Sequence, residues 1–179
     1  MSRLLEVENL QVSFHTYAGE VKAVRGITFG VERGETLALV GESGCGKSVT
    51  AKALMRLFDR TSGEVMPGSK IMFDGTDVMA LNKKQLNAFR GAQIGMIFQD
   101  PMTSLDPTMT IGKQVGECLM IHKGISMKEA VKQAVDLLRM VEIPTPEERV
   151  KAYPDQLSGG MRQRVVIATA LACNPKLLI

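Results

Sequence analysis

The sequence lacks the features that mark membrane-spanning, secreted and disulfide-rich proteins. No window contains the roughly 18 consecutive apolar residues that a membrane-spanning helix requires. Charged residues occur too early at the N-terminus for a secretory leader, so we expect none. The three cysteines are widely spaced, odd in number and without a zinc-binding pattern, which indicates reduced thiols in a cytosolic protein.

A strong charge of either sign is also absent. The 179 residues carry a formal net charge of only +3, and the lysines and arginines are scattered. We therefore expect neither a nucleic-acid partner nor an anionic membrane patch. Internal repeats and low-complexity tracts are absent too, and a chain of this length forms one domain with room for a subdomain.

A glycine-rich segment at residues 41–48, GESGCGKS, is the most informative stretch that is present. It matches the phosphate-loop pattern of nucleotide-binding proteins. The apolar run at residues 36–40 predicts a buried strand before it, and the apolar spacing at residues 49–58 predicts a helix after it. The segment is therefore expected to join a strand to a helix, which is the context a phosphate loop requires.

The residue types of this segment suit polyphosphate chemistry. Gly41, Gly44 and Gly46 allow successive backbone N–H groups to point at phosphate oxygens, and the positive end of the following helix adds to that field. Lys47 is expected to reach the β- and γ-phosphates, and the Ser48 hydroxyl to hold Mg²⁺. The alternative is a glycine-rich turn that caps a helix, with Lys47 in solvent. The segment predicts a nucleoside triphosphate site without separating kinases, GTPases and transport ATPases.

Alternating apolar residues predict two antiparallel strands, at residues 4–14 and 21–31, joined by a turn that contains Tyr17. Tyr17 is a candidate for stacking on adenine, because a flat aromatic face binds a base without hydrogen-bond readout. Phe14 and His15 are nearby competitors. The alternative is that these aromatic side chains only pack the turn.

Four shorter elements are expected after the phosphate loop. They are a loop at residues 59–69, a strand at 70–75 that ends in an Asp-Gly turn, a helix at 82–90 stopped by Gly91, and a second apolar strand at 93–98. Gln99 directly follows the last strand, where open α/β sheets place ligand-binding groups. Its amide can ligate Mg²⁺ or bind a metal-bound water, and the alternative is a glutamine that caps a turn.

Residues 111–150 have a helical character. Ser126 and Glu129 form the pattern of a capping box, and Pro144 and Pro146 are expected to break the helix that follows. This stretch therefore predicts a helical insert.

A second glycine pair lies at residues 157–164, LSGGMRQR. Ser158 is expected to cap a helix over residues 161–173, and Gly159 and Gly160 leave the N–H groups of its first turn accessible to an anion. The alternative is an ordinary serine-capped helix. Residues 176–179 predict the opening of a buried strand.

Together these motifs resemble the ATP-binding subunit of an ABC transporter. The phosphate loop, Gln99, the helical insert and the LSGG signature occur in the order found in that family. Residues 98–107, FQDPMTSLDP, resemble the version in oligopeptide and dipeptide importers, and nickel and glutathione importers carry close variants.

The resemblance implies an α/β fold. It has an ABC-type P-loop core, an N-terminal antiparallel β-subdomain and an inserted α-helical subdomain, and it is incomplete at the C-terminus. The β-subdomain and ATP-binding core occupy residues 1–100, the helical subdomain residues 101–157, and the signature helix with the start of the next core strand residues 158–179.

The resemblance also implies ATP and Mg²⁺ as cofactors. Catalytic roles fall on Lys47 and Gln99, and Mg²⁺ coordination on Ser48 and Gln99. Ser158, Gly159 and Gly160 would contact the γ-phosphate of ATP bound by a partner subunit. Nucleotide contacts are expected at Tyr17, Gly41, Ser43, Gly44, Cys45, Gly46, Lys47, Ser48, Val49 and Gln99.

The partners follow from the same resemblance. Two ATP-binding subunits, identical or paralogous, would pair head to tail at the cytoplasmic face of the membrane. They would drive peptide import through membrane-spanning permease subunits, served indirectly by an external solute-binding protein.

The sequence departs from the family at its end. Members continue the strand at residues 176–179 into an aspartate, a catalytic glutamate and a switch histidine, whereas His15 and His122 precede the signature. We therefore expect the front part of a longer subunit, which binds ATP but hardly hydrolyses it. We also expect MgATP to slow alkylation of Cys45.

Three other classes of protein are the alternatives to this interpretation. A P-loop kinase or GTPase is disfavoured by the signature at residues 157–164. A DNA-repair ATPase would carry a long coiled-coil insertion between Gln99 and the signature, and the sequence has none there. A nucleotide-gated clamp would bind ATP without turnover.

Overall fold

The computed structural model describes residues 3–58 and 63–179. The chain divides into two compact units, Met1–Leu86 and Asn87–Ile179. The expected division at residues 100 and 157 stays a prediction. Across the described ranges, no helix combines the length and the apolar character needed to cross a membrane.

An antiparallel sheet forms most of the first unit, as the alternation of apolar residues predicts. Its strands are β1 (Leu5–Thr16), β2 (Gly19–Val31), β3 (Gly63–Val65), β4 (Lys70–Phe73) and β5 (Thr76–Asp77). They follow the order β2-β1-β4-β5, and β3 also pairs with β1. The expected Asp-Gly turn joins β4 to β5 at Asp74 and Gly75.

Strand β1 supplies much of the core of this unit. Leu5, Val7, Leu10 and Val12 are each at most 2% exposed. The spacing of these buried residues changes between Val7 and Leu10, where Asn9 has a φ of 47° and the pairing with β2 shifts register. This irregularity returns the apolar side chains to the core after a break in the alternation.

The expected strand at residues 36–40 is wrong. The segment is not assigned to a strand, and Leu37, Leu39 and Val40 are 41%, 42% and 92% exposed. A strand requires a neighbour for its N–H and C=O groups, and none of the described strands pairs with this segment. Its apolar side chains therefore lie on the surface.

The expected loop at residues 59–69 is wrong in part, because β3 occupies Gly63–Val65 and pairs with β1. Glycine usually signals a loop, but here it makes room for an aromatic ring. A Cβ atom at Gly63 would lie 2.6 Å from Cε1 of Phe14. Residues 59–62 lie outside the described ranges.

One helix follows the phosphate loop, and a second helix follows the last strand of the antiparallel sheet. Helix α1 (Lys47–Leu54) begins before the expected residue 49 and ends before the expected residue 58. Helix α2 (Lys83–Phe89) confirms the expected short helix. The side-chain oxygens of Asn82 and Gln85 each accept a 3.0 Å hydrogen bond from the other's backbone N–H, which caps α2.

Helices dominate the second unit. They are α3 (Pro101–Ser104), α4 (Ile111–Lys123), α5 (Met127–Met140), α6 (Pro146–Arg149), a 3₁₀ turn (Pro154–Gln156) and α7 (Gly159–Leu171). The helical prediction for residues 111–150 is thus confirmed as three helices. Gly124, with a φ of 67°, ends α4.

Close packing of α4 holds this unit together. A Cβ atom at Gly112 would lie 2.7 Å from the carbonyl oxygen of Val150, and one at Gly116 would lie 3.2 Å from the Cβ of Ala130. The two glycines therefore let α5 and the segment after α6 approach α4. The Ser126 hydroxyl accepts a 3.2 Å hydrogen bond from the Glu129 N–H, which confirms the expected cap of α5.

The two strands expected in the second unit are shorter than the sequence indicates. β6 (Ile94–Gly95) and β7 (Leu177–Leu178) pair in parallel, with Ile94 opposite Leu177. The strand at residues 176–179 was expected to be buried, but Leu178 is 42% exposed. This is because, in the described chain, β6 and β7 form a two-stranded sheet of their own, so each has an open edge.

Candidate functional site

The phosphate loop owes its shape to glycines with left-handed backbone angles. Gly44 and Gly46 have φ values of 83° and 93°, which side chains other than glycine rarely adopt. A Cβ atom at Gly46 would lie 2.6 Å from the carbonyl oxygen of Ala23, so the loop backbone rests directly on strand β2. Helix α1 begins at the next residue, Lys47, and has no acidic residue in its first turn.

Lys47 lies over the loop that precedes it. Its Nζ donates to the carbonyl oxygens of Gly41 and Glu42, at 2.7 Å and 2.6 Å, and lies 3.5 Å from the Cys45 sulfur. The ammonium charge is therefore held beside the loop and not extended into bulk solvent. The alternative of a lysine free in solvent does not fit these contacts.

The remaining loop positions are open to a ligand. Residues 41–45 and Ser48 are exposed, whereas Gly46 is buried and Val49 half-buried. The first N–H groups of α1 have no partner within the helix, as helix geometry dictates, and they point out of its N-terminal end. Charge, helix polarity and exposure therefore combine into one surface that attracts an anion.

A pocket of about 580 Å³ lies beside the loop. Its volume falls within the range of roughly 300–1,000 Å³ that small-molecule sites have. Lys22 and Arg25, both on strand β2, line it together with Lys47, and its described lining contains no aspartate or glutamate. Lys22 and Arg25 were not predicted as site residues, because their only signal in the sequence is two cations in an apolar strand pattern.

The three candidates for adenine stacking near the first turn differ in their contacts. Phe14 packs edge-to-face on Phe58, with ring centroids 5.7 Å apart, and His15 Nε2 lies 3.0 Å from a carboxylate oxygen of Glu64. Tyr17 is fully exposed in the turn before β2. It does not line the pocket, whose lining starts at Val21 on the strand that follows. Adenine stacking on Tyr17 stays a prediction.

Gln99 is exposed and comes before a tightly bonded loop in the second unit. The carboxylate of Asp100 caps α3 by accepting a 2.8 Å hydrogen bond from the Met102 N–H. Farther along, the Asp106 carboxylate accepts hydrogen bonds from the hydroxyl and N–H of Thr108, which hold the pKa of Asp106 below its ordinary value.

Gln114 has a structural role that the sequence does not predict. Its side-chain oxygen accepts a 2.8 Å hydrogen bond from the Asp106 N–H, and its Nε2 donates to the carbonyl oxygens of Asp106 and Met109, at 2.9 Å and 2.8 Å. These three bonds tie the loop after Gln99 to helix α4. No periodic pattern in the sequence signals such a contact.

The signature residues begin helix α7. The Ser158 hydroxyl accepts a 3.3 Å hydrogen bond from the Met161 N–H, which confirms the expected cap. Ser158, Gly159 and Gly160 are all exposed, and Cβ atoms at the two glycines would meet nothing within 4 Å. Arg162 in the same helix donates to the Pro154 carbonyl at 2.7 Å and so fixes the start of α7.

Comparison with known proteins decides the family. The sequence model of the family described as ABC transporter matches residues 24–179. The chain belongs to the ABC transporter family. The match includes both glycine-rich segments, the phosphate loop and the signature.

Relatives of this ABC chain include the oligopeptide transport ATP-binding protein OppD and the dipeptide transport ATP-binding protein DppD of Bacillus subtilis (strain 168). They are 57% and 54% identical over 179 residues, which is 100% of this chain but 50% and 53% of those proteins. OppD of Salmonella typhimurium is 52% identical over 98% of the chain. The chain thus spans about half the length of these curated relatives.

Solved structures support the same ABC fold. A structure described as a dimeric post-hydrolysis state of the ATP-binding cassette MJ0796, bound to ADP and Pi, matches with a TM-score of 0.83 and 27% identity. It covers 97% of this chain and 72% of its own. The cbiO1 protein of Clostridium perfringens, described as part of the ABC transporter complex cbiONQ, matches with a TM-score of 0.75 and 26% identity. That match covers 99% of this chain and 64% of its own.

The residues of the ABC chain fit a nucleotide with Mg²⁺. The loop offers a lysine, the exposed Gly41 and Gly44 and the positive end of a helix, which is the donor set that phosphate oxygens need. Within the described ranges, no cluster of histidine, cysteine, aspartate and glutamate is arranged to hold a metal. The Ser48 hydroxyl is a hard oxygen of the kind that Mg²⁺ prefers alongside phosphate, and coordination of Mg²⁺ by Ser48 and by Gln99 stays a prediction.

Proposed function

We propose that this chain binds MgATP at the phosphate loop and that the whole protein hydrolyses ATP to drive peptide import. The observation that carries the proposal is the position of Lys47, which lies on the carbonyls of Gly41 and Glu42 at the first residue of α1. A cation at this point, beside exposed N–H groups, is what a β,γ-phosphate pair requires.

The residues around the bound nucleotide have different roles. Residues 43–49 surround the phosphates, and Gly44 and Gly46 keep the backbone N–H groups turned toward them. Lys47 neutralises charge that develops on the transferred phosphoryl group. Mg²⁺, which supplies further charge neutralisation when bound, would be held by the Ser48 hydroxyl beside the phosphates.

Lys22 and Arg25 add positive charge to the pocket beside the loop. We propose that they attract the nucleotide without fixing its geometry, because they lie on a strand and not within the loop. Their contribution is therefore expected to depend strongly on salt.

The assembly and the cargo are proposed from the relatives. Those relatives are named as oligopeptide and dipeptide transport proteins, and the MJ0796 cassette structure is described as dimeric. We propose a head-to-tail pair of subunits at the cytoplasmic face of the membrane. In this pair Ser158, Gly159 and Gly160 contact ATP held by the partner, and permease subunits carry the peptide.

A binding measurement tests the nucleotide site. Lys47→Ala is expected to weaken binding of a fluorescent ATP analogue at least about tenfold, because a charge-assisted contact to phosphate is worth roughly 1.5–3 kcal/mol. Lys52→Ala is the matched control, since Lys52 is exposed in the last turn of the same helix. Equal affinity in the two variants would contradict the proposal.

Phosphate release separates binding from turnover. Residues 1–179 by themselves are expected to bind the analogue with little phosphate release, and the whole protein in its complex is expected to release phosphate continuously. Steady release from the 179-residue chain that Lys47→Ala abolishes would overturn the first expectation. Uptake of labelled dipeptide and of nickel by cells with and without the whole protein then tests the cargo.

A further inference from the structure

Two cysteines of the second unit lie in direct contact. Cys118 is on α4 and Cys173 follows the end of α7, and their sulfur atoms are 3.5 Å apart although the residues are 55 positions apart in the sequence. The Cys173 thiol also donates to the carbonyl oxygen of Cys118, at 3.6 Å. Both are half-buried free thiols.

Packing holds these thiols together. Leu119 and Ala172, the immediate sequence neighbours of the two cysteines, are 1% and 5% exposed and belong to one buried cluster with Ala130. Cys118 and Cys173 pack against this cluster. The contact between the sulfurs is therefore imposed by two buried anchors and does not depend on a surface rotamer.

The Cys118 sulfur lies beside a glycine. Gly91 faces the Cys118 sulfur, because a Cβ atom at position 91 would lie 3.4 Å from it and 2.8 Å from Nε2 of His122. A side chain at this position would crowd the thiol. With glycine there, no side chain at position 91 covers the half-buried thiol.

We propose that Cys118 and Cys173 form a reversible disulfide that ties α4 to the end of α7. A disulfide has an S–S length of about 2.05 Å, so the sulfurs need to approach by roughly 1.5 Å. We expect rotation of the two side chains to supply this movement, because the buried neighbours Leu119 and Ala172 anchor the backbones. The link would fix the C-terminal end of the helix whose first residues carry the signature glycines.

The reaction uses a low-molecular-weight disulfide as oxidant. Burial, and next the hydrogen bond with the adjoining Cys173, raise the pKa of the Cys118 thiol to about 12. Either thiol can make the first attack, and the steps balance in the same way. When Cys173 makes it, its thiolate attacks oxidised glutathione, forms a mixed disulfide and releases one glutathione thiolate, which takes up the proton that Cys173 lost. Cys118 then attacks the Cys173 sulfur, loses its proton and releases the second glutathione. In total, two protein thiols are oxidised and one glutathione disulfide is reduced to two thiols.

Thiol counting on the whole chain tests the proposal. The chain is equilibrated with oxidised glutathione, denatured, titrated for free thiols and digested without reductant for mass spectrometry. The expected result is a peptide pair that joins Cys118 to Cys173 and is absent from Cys118→Ser and Cys173→Ser. In Cys45→Ser the joined pair should persist, because Cys45 lies in the first unit and takes no part.

Stability provides a second measurement. The oxidised chain is expected to melt roughly 5–15 °C above the reduced chain, because the bridge closes a loop of more than 50 residues. Neither serine variant should show this shift. Separate glutathione adducts on Cys118 and Cys173 without a joined peptide, or two thiols that stay reduced throughout, would overturn the proposal.

Discussion

Adding a single methyl group to the phosphate loop should test how the loop rests on strand β2. Gly44 and Gly46 both have left-handed φ values, 83° and 93°. They differ in surroundings, because a Cβ at Gly44 would meet nothing within 4 Å, whereas one at Gly46 would lie 2.6 Å from the Ala23 carbonyl oxygen and 3.4 Å from a methyl of Val24. Gly44→Ala and Gly46→Ala therefore form a matched pair.

The two substitutions share one cost and differ in another. A left-handed conformation costs a non-glycine residue about 1–2 kcal/mol, which applies to both. The clash with a backbone carbonyl adds about 1–3 kcal/mol at Gly46 only, since backbone atoms cannot swing away. Loss of chain entropy in the unfolded state favours both alanine variants equally and cancels from the comparison. We expect Gly46→Ala to be the less stable of the two by about 1–3 kcal/mol.

Urea unfolding followed by circular dichroism measures this difference. The expected result is a small shift of the midpoint for Gly44→Ala and a distinctly larger one for Gly46→Ala, at a similar slope. Equal shifts would refute the reasoning, because they would mean that the loop backbone does not lie against Ala23. A wild-type midpoint for Gly46→Ala would refute it more directly.

Four further outcomes follow from the same structure. Gln114→Leu should destabilise the chain by about 1–3 kcal/mol in urea unfolding, because three hydrogen bonds are lost. Gln114→Glu should also destabilise it, because a carboxylate oxygen would replace the amide donor opposite the carbonyl oxygens of Asp106 and Met109. Gly160→Ala should leave the melting temperature unchanged or raise it, because a Cβ at this position would meet no described atom within 4 Å. The same variant should reduce the MgATP-dependent dimers of the whole protein that size exclusion detects. MgATP should slow iodoacetamide labelling of Cys45, whereas equal rates with and without nucleotide would count against phosphate binding at the loop. Thr108→Val should raise the pKa of Asp106 toward 3.8, as measured by NMR titration. Because this pKa is lowered in the folded state, the ionised Asp106 stabilises the fold at neutral pH, and the stabilisation is lost as the pH falls through the folded-state pKa.

Local sequence patterns predicted an element correctly where that element depends on residues close together in the sequence. The alternation of apolar residues predicted the β1–β2 pair, and Ser158 predicted the cap of α7, because both depend on neighbours within a few residues. The phosphate-loop pattern at residues 41–48 likewise predicted the start of α1 close to Lys47. Each of these features is written in a short window of sequence.

Two of the local signals that failed show how tertiary structure overrides composition. The apolar run at residues 36–40 has the composition of a buried strand, but its neighbours in the described chain leave it unpaired and exposed. The segment around Gly63 has the composition of a loop, but Gly63 begins strand β3, where the ring of Phe14 occupies the space that a side chain would need. Composition reports what a segment can do, whereas pairing and packing decide what it does.

The sequence by itself determined the family, the antiparallel start of the fold and the two glycine-rich segments that can bind phosphate. The tertiary structure decided the rest of the candidate site. Lys22 and Arg25 line a pocket beside Lys47, and Cys118 touches Cys173, because folding brings together residues that are far apart in the chain. No window of sequence records such contacts, since they arise from the strand pairing and helix packing of the whole unit.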